Sequence, residues 1–185
     1  MKLMKSKTKK STYKAIYRLL NRVSPLPYDC GKLCDACCCK DTGENMGIYL
    51  YPGEDKLFTR KESWLKWESE NAEDFDFPLS WKGKIYFVKC KGVTDCVREY
   101  RPLQCRFFPL SPHITKNNQL ILIKFNQKLP YSCPLIEEKR PLDKDFIKAT
   151  YTVIRRLIED PLIYDLVLMD SRDRDKEELE IIYSI

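Results

Sequence analysis

Apolar residues recur every three or four positions at Tyr13, Ile16, Tyr17, Leu20 and Val23. That spacing predicts a helix with one buried side, and Ser11 or Thr12 stands where a cap belongs. SPLPYD then ends it, because proline lacks an amide hydrogen and clashes with the preceding turn. The same period returns at Phe146, Ile147, Thr150, Tyr151, Ile154, Leu157 and Ile158, predicting a helix from Asp143 or Asp145 to Glu159. Asp160 and Pro161 stop that helix and cap the next one, PLIYDLVLM. Strand-like alternation marks MGIYLYPGE, turning at Pro52 and Gly53, and QLILIKF after the turn KNNQ. Residues 84–100 predict a hairpin of KIYFVKC and DCVREY joined through KGVT. Thr59 and Glu62 have capping-box spacing and predict a helix carrying Trp64, Leu65 and Trp67, whereas Pro102 opens a short helix in RPLQCRFF. The last fifteen residues, beginning SRDRDKEELE, predict an exposed or frayed helical tail.

These elements give an α+β class: a small mixed domain with a metal-bound cysteine-rich loop, a β-hairpin and C-terminal helices. Three segments are expected: a basic arm and helix over 1–29, a cysteine-cluster region over 30–134, and a helical segment over 135–185 packed on the same domain. At 185 residues, 43% of them hydrophobic, the chain has material for a core of its own.

Charge and cysteine content alter that picture. The net charge is +6, yet residues 1–22 hold eight lysines and arginines and no acid, so the remainder is slightly negative. A basic arm of this kind suits an acidic partner, such as nucleic acid or an anionic membrane surface. No stretch is long and apolar enough to span a bilayer, and MKLMKSKTKK has no apolar core after it. A cytoplasmic location is therefore expected, and reducing surroundings turn nine cysteines towards metal ligation rather than disulfides.

Five of the nine lie in CGKLCDACCC. Cys34 and Cys37 form a C-x-x-C pair able to hold one metal, and Cys30 adds a third thiolate. Successive side chains point in roughly opposite directions, so Cys37 and Cys38 are not expected on one mononuclear ion. The triplet makes sense if the loop runs between two metal centres, or along one polynuclear cluster. Cys90, Cys96, Cys105 and Cys133, added to Cys30, Cys34, Cys37 and Cys38, supply eight thiolates, enough for two four-thiolate sites, with Cys39 left over. Arg101 and Arg106 are candidates to offset the negative charge of such a centre, and His113 in SPHI is expected in a loop rather than on a metal.

These cysteines resemble the CxxCxxCC, or YkgJ-like, family of zinc- or iron-chelating domains, which includes flagellin lysine N-methylases. The first block is similar at Cys30, Cys34, Cys37 and Cys38, followed by IYLYPGE with Glu54. The second reads C-x5-C-x-x-E-Y-R-P-x-x-C-R-x-F-P, from Cys90 through Cys96, Glu99, Tyr100, Arg101, Pro102, Cys105 and Arg106 to Phe108 and Pro109, and Cys133-Pro134 forms the last element. The first gap is one residue longer than in the family, and Cys39 is extra. The resemblance covers about residues 30–134 and implies a metal-chelating domain, with methyl transfer implied for only part of the family.

Dispersed ligands and a single C-x-x-C favour an iron-sulfur cluster slightly over zinc. Three functions stand open: a metal-binding protein in redox, sensing or assembly; a metal-dependent enzyme related to lysine N-methylases and using S-adenosylmethionine; and a structural zinc domain mediating interactions. Against the second, Ala36 rather than an aromatic residue precedes Cys37, and the chain shows no long run of alternating strands and helices.

Overall fold

Alternating apolar and polar positions build two antiparallel sheets, and the amphipathic helices cover the second. The computed structural model describes residues 5–40, 47–92, 95–138, 140–174 and 178–184. Parts of four sequence expectations lie outside them: the first residues of the basic arm, Met46 of the first strand, Val93 and Thr94 of the KGVT turn, and 175–177 of the tail.

In the first sheet β3 (Lys84–Cys90) lies between β1 (Ile48–Tyr49) and β2 (Leu65–Asn71), with Trp67 opposite Val88 and Ser69 opposite Tyr86. In the second, β5 (Leu120–Lys124) lies between β4 (Leu110–Ile114) and β6 (Ile181–Tyr183). All five residues of β5 are buried, as suits a central strand covered on both faces.

Among the described residues, five α-helices accompany the sheets: α1 (Lys10–Leu20), α2 (Leu103–Phe107), α3 (Pro134–Glu137), α4 (Lys144–Leu157) and α5 (Pro161–Asp173). The apolar stripes of α1 and α4 meet α2, α5 and the second sheet in one core that includes Tyr13, Leu103, Leu122, Phe146, Ile154 and Ile163. Each such side chain contributes roughly 1.5–3 kcal/mol by leaving water. Both long C-terminal helices have the expected caps: Asp143 accepts from the Asp145 and Phe146 amides, and Asp160 from Leu162 N at 3.1 Å. Among the described residues, no helix is long and apolar enough to cross a membrane.

Strand β4 is an edge strand, which explains how it tolerates Pro112. Two of its outer backbone groups are taken up by α5 and the residue that follows it. Ile114 N donates to Ser171 Oγ at 2.8 Å, and Arg174 Nη1 donates to Pro112 O at 3.1 Å.

Five expectations are corrected. The Thr59–Glu62 bonds form, with Thr59 N and Oγ1 at 2.6 and 2.9 Å from Glu62 Oε1, but they close a turn and no helix follows. Residues 65–71 are strand β2 instead, because Leu65 and Trp67 alternate with Lys66 and Glu68; Glu68 pairs with Lys66 and with Lys89 of β3. DCVREY does not pair with β3, whose two edges are occupied by β1 and β2; Arg98–Tyr100 is a 3-10 turn. The tail ends in β6 rather than in a helix, with the Tyr183 ring against Tyr151 at 4.9 Å. His113 is a buried residue of β4 and not part of a loop. Helix α1 begins at Lys10, so Ser11 and Thr12 lie inside it. Ser6 and Thr8 just before it hold Asp160, whose Oδ2 accepts from Ser6 Oγ at 2.6 Å and Thr8 N at 2.9 Å.

Candidate metal centre

The cysteine loop is two short 3-10 turns, Cys30–Leu33 and Cys37–Cys39, folded back on each other. Asp29 starts the first by accepting from Gly31 N at 3.1 Å. The reversal passes through Asp35 and Ala36, both left-handed with φ of 50° and 49°, and Ala36 N closes it on Gly31 O at 2.8 Å. A left-handed conformation costs an ordinary L-residue roughly 1–2 kcal/mol. Glycine suits position 31, because a Cβ there would stand 3.2 Å from Ala36 Cβ, a tight contact. Lys40 pairs with Asp35 across the loop.

All nine cysteines are free thiols, and they fall into two neighbourhoods. In the first, Cys30 and Cys133 share a small apolar cluster with Leu26, Leu33 and Leu135. Cys37 Sγ donates to Ser132 O at 3.0 Å, which brings it beside Cys133. Cys34 adjoins Cys37: burial first, then the Cys34 thiol, pushes Cys37 up to about 11. Burial also raises Cys30 and Cys133; Asp29 adds to the rise at Cys30, Arg98 opposes it, and the Leu135 and Ile136 amides oppose it at Cys133. Arg98 reaches both Asp29, at 3.4 Å, and Ser24 Oγ, at 3.0 Å.

The second neighbourhood centres on Arg101, whose Nε donates to Cys96 Sγ at 3.0 Å. Cys96 is held below the usual thiol range by the Cys90 thiol and then by Arg101, against burial. Cys39 is likewise lowered, first by Cys38 at 3.9 Å and then by Arg101. Cys90 is raised, chiefly by Cys96, and Cys38 chiefly by Cys39. Cys105, exposed overall, is pushed up to about 12, first by desolvation of its sulfur and then by Cys39. Tyr131 lies where the neighbourhoods meet: burial raises it, and Cys38, Cys133, Cys37 and Cys105 all add to the rise.

Helix α2, which carries Cys105, is fixed through Glu54. This fully buried carboxylate accepts from Leu103 N at 2.8 Å, Tyr17 Oη at 2.6 Å and Tyr51 N at 3.0 Å. Arg106 does not turn towards the thiols. It donates to Glu99 O and Asn21 Oδ1, and its guanidinium lies over the Tyr17 ring.

As they stand, no three cysteine, histidine or carboxylate side chains among the described residues converge on one point as ligands. Two sulfurs are turned to local carbonyls instead, Cys37 to Ser132 and Cys90 to Gly92 at 3.4 Å. The donor chemistry nonetheless fits a thiophilic metal: four thiols in one neighbourhood and five in the other, with an arginine beside each. Arg98 and Tyr131 were missed in the sequence, where only the polar contact expected of an arginine near clustered thiols could have pointed to Arg98. No protein family, no curated protein and no solved structure matches the chain.

Proposed function

We propose that this chain is a metal-thiolate protein whose cysteines bind an iron-sulfur cluster or zinc in a redox, sensing or assembly role. One observation carries the reading: thiols from separated stretches gather at two neighbouring points, Cys96 at 3.0 Å from Arg101 with Cys39 and Cys105 close enough to act on it, and Cys37, at 3.0 Å from Ser132 O beside Cys133, with both acting on Tyr131. Nine unpaired thiols gathered in this way gain little from packing alone, whereas thiolates from distant segments on one metal centre stabilise the fold that gathers them. The spacing that resembles the zinc- and iron-chelating family agrees with it, and a reducing, cytoplasmic setting would keep the thiols available. Anaerobic purification followed by iron, sulfide and zinc analysis tests the proposal. Brown protein with stoichiometric iron and sulfide gives the cluster, and colourless protein with stoichiometric zinc gives a structural site. Native protein that holds neither metal, and takes up neither when reduced, overturns it. Calorimetry with S-adenosylmethionine decides whether the enzyme reading applies.

A further inference from the structure

Helices α1 and α4, far apart in the chain, lie side by side and antiparallel because they are tied at both ends. Ahead of α1, Ser6 Oγ and Thr8 N donate to Asp160, just past the end of α4, at 2.6 and 2.9 Å. Beyond α1, Pro25 O accepts from the amide of Asp143, the cap of α4, at 2.9 Å. Their apolar stripes are spent on the shared core, which turns their charged sides outward.

Lys10, Lys14, Arg18 and Arg22, on α1 and the turn after it, are all exposed, and each stands four positions from the next. Four residues of helix rise about 6 Å, so the row is roughly 18 Å long. On α4, Lys144, Lys148 and Arg155 are exposed in a neighbouring row. None of these seven pairs with a carboxylate among the described residues, where the ion pairs involve other cations. Residues 5–22 hold seven cations and no acid, and α4 holds four against Asp145, whereas the whole chain carries +6. The rest of the protein is therefore negative, and the field of the molecule turns this one face towards a polyanion.

The chemistry of the face selects among polyanions. A helix lying on a membrane buries an apolar side in lipid. Here those sides are in the core, and Leu19 is the one large exposed hydrophobic on either helix among the described residues. A single strand is held by bases stacked on aromatic rings. Neither helix offers such a ring: Tyr13 and Tyr17 are buried, and Tyr151 packs on Tyr183. A duplex needs neither lipid contact nor stacking, since its outward phosphates are bound through charge alone. Each of its strands presents a phosphate per roughly 3.4 Å of axis, so the row on α1 runs along about five. At the Arg22 end the surface stops at a cleft where Asp29, Asp143 and Asp145 would repel phosphate.

We propose that the outer face of α1 and α4 is a docking surface for duplex nucleic acid, gripped by these seven cations through its phosphate backbone and without regard to sequence. The surface needs no bound metal and stands independently of the metal-thiolate reading.

The test is fluorescence anisotropy of the full chain, reduced and as purified, with a labelled DNA duplex two helical turns long, across a salt series. The expected result is binding that is indifferent to scrambling of the sequence and weakens about 150- to 500-fold between roughly 50 and 200 mM salt, as four to five phosphate contacts require. K14Q/R18Q and, separately, K148Q/R155Q each lessen the salt slope by about two. K61Q/K82Q removes the same charge just ahead of β2 and β3 and leaves the slope unchanged. All six substituted side chains are exposed, circular dichroism identifies a variant that misfolds, and the slope of the unaltered chain is read without any variant. An equal loss of slope in K61Q/K82Q assigns binding to net charge and overturns the surface. No duplex binding at the lowest salt overturns it too, as does tighter binding to the single strand of the same sequence. Binding confined to phosphatidylserine vesicles overturns it in favour of a membrane.

Discussion

Glu54 and Leu103, forty-nine positions apart in the chain, are joined by a 2.8 Å bond from the Leu103 amide to a fully buried carboxylate. The bond places the start of α2, and with it Cys105, on the same node that receives Tyr17 of α1. A core carboxylate here orders a helix that carries a candidate ligand.

Burial lifts Glu54 to about 6, with Tyr17, Leu103 and Tyr51 pulling the other way. The folded value lies above the ordinary one, so the folded state holds the proton more tightly. The contribution to stability is full below the ordinary carboxylate value and is lost as pH rises through about 6. Urea unfolding from pH 4 to pH 7 should show unaltered protein losing on the order of 2 kcal/mol relative to Glu54→Gln across that window. An identical pH slope in the two proteins would remove Glu54 as the source.

Tyr17→Phe deletes the 2.6 Å donor to this carboxylate and keeps the ring. The expected loss is about 1–3 kcal/mol at neutral pH, where the carboxylate is charged and most in need of the bond, and less at pH 4. Chemical denaturation at both pH values measures the difference.

Arg101→Gln keeps polarity but removes the charge facing Cys96. Second-layer partners of metal ligands typically alter affinity about 10- to 100-fold. On the metal-thiolate reading, zinc competition against a chromophoric chelator should therefore show affinity weakened by that factor. Arg106→Gln, on a side chain directed at Asn21 and Tyr17, should leave it unchanged.

Ala36→Val forces a β-branched residue into a left-handed conformation at the loop reversal. A loss of about 1–2 kcal/mol is expected in thermal unfolding. Ala36→Gly should be neutral or slightly stabilising, since glycine adopts that φ without strain.

Asp160 both caps α5 and holds the segment before α1 through Ser6 and Thr8. Asp160→Ala should cost about 2 kcal/mol, at the upper end for a helix cap. Limited proteolysis should then cut residues 5–9 first, whereas the loss of a cap alone would leave that segment protected.

The helices α4 and α5 could be read from sequence because period, cap and proline agree at their boundaries. Where local and long-range signals conflicted, the local one lost. Thr59 and Glu62 make their bonds, but the alternation of Leu65, Lys66, Trp67 and Glu68 fits a place beside β3, and pairing along seven residues outweighs one capped turn. Strand β6 was hidden because a charge run precedes it, and only the neighbouring β5 makes Ile181–Tyr183 a strand. At the thiols, spacing marks candidates but carries nothing about their directions. The course of the loop is set by the left-handed reversal at Asp35 and Ala36, which composition does not reveal.

The outer margin of β4 has a consequence for behaviour in concentrated solution. Proline offers no hydrogen to an incoming chain, and the Pro112 carbonyl and the Ile114 amide are already engaged by Arg174 and Ser171. With only three residues in the strand on the opposite margin, the second sheet offers a stray copy almost no ladder to extend, and self-templated fibre growth is disfavoured there.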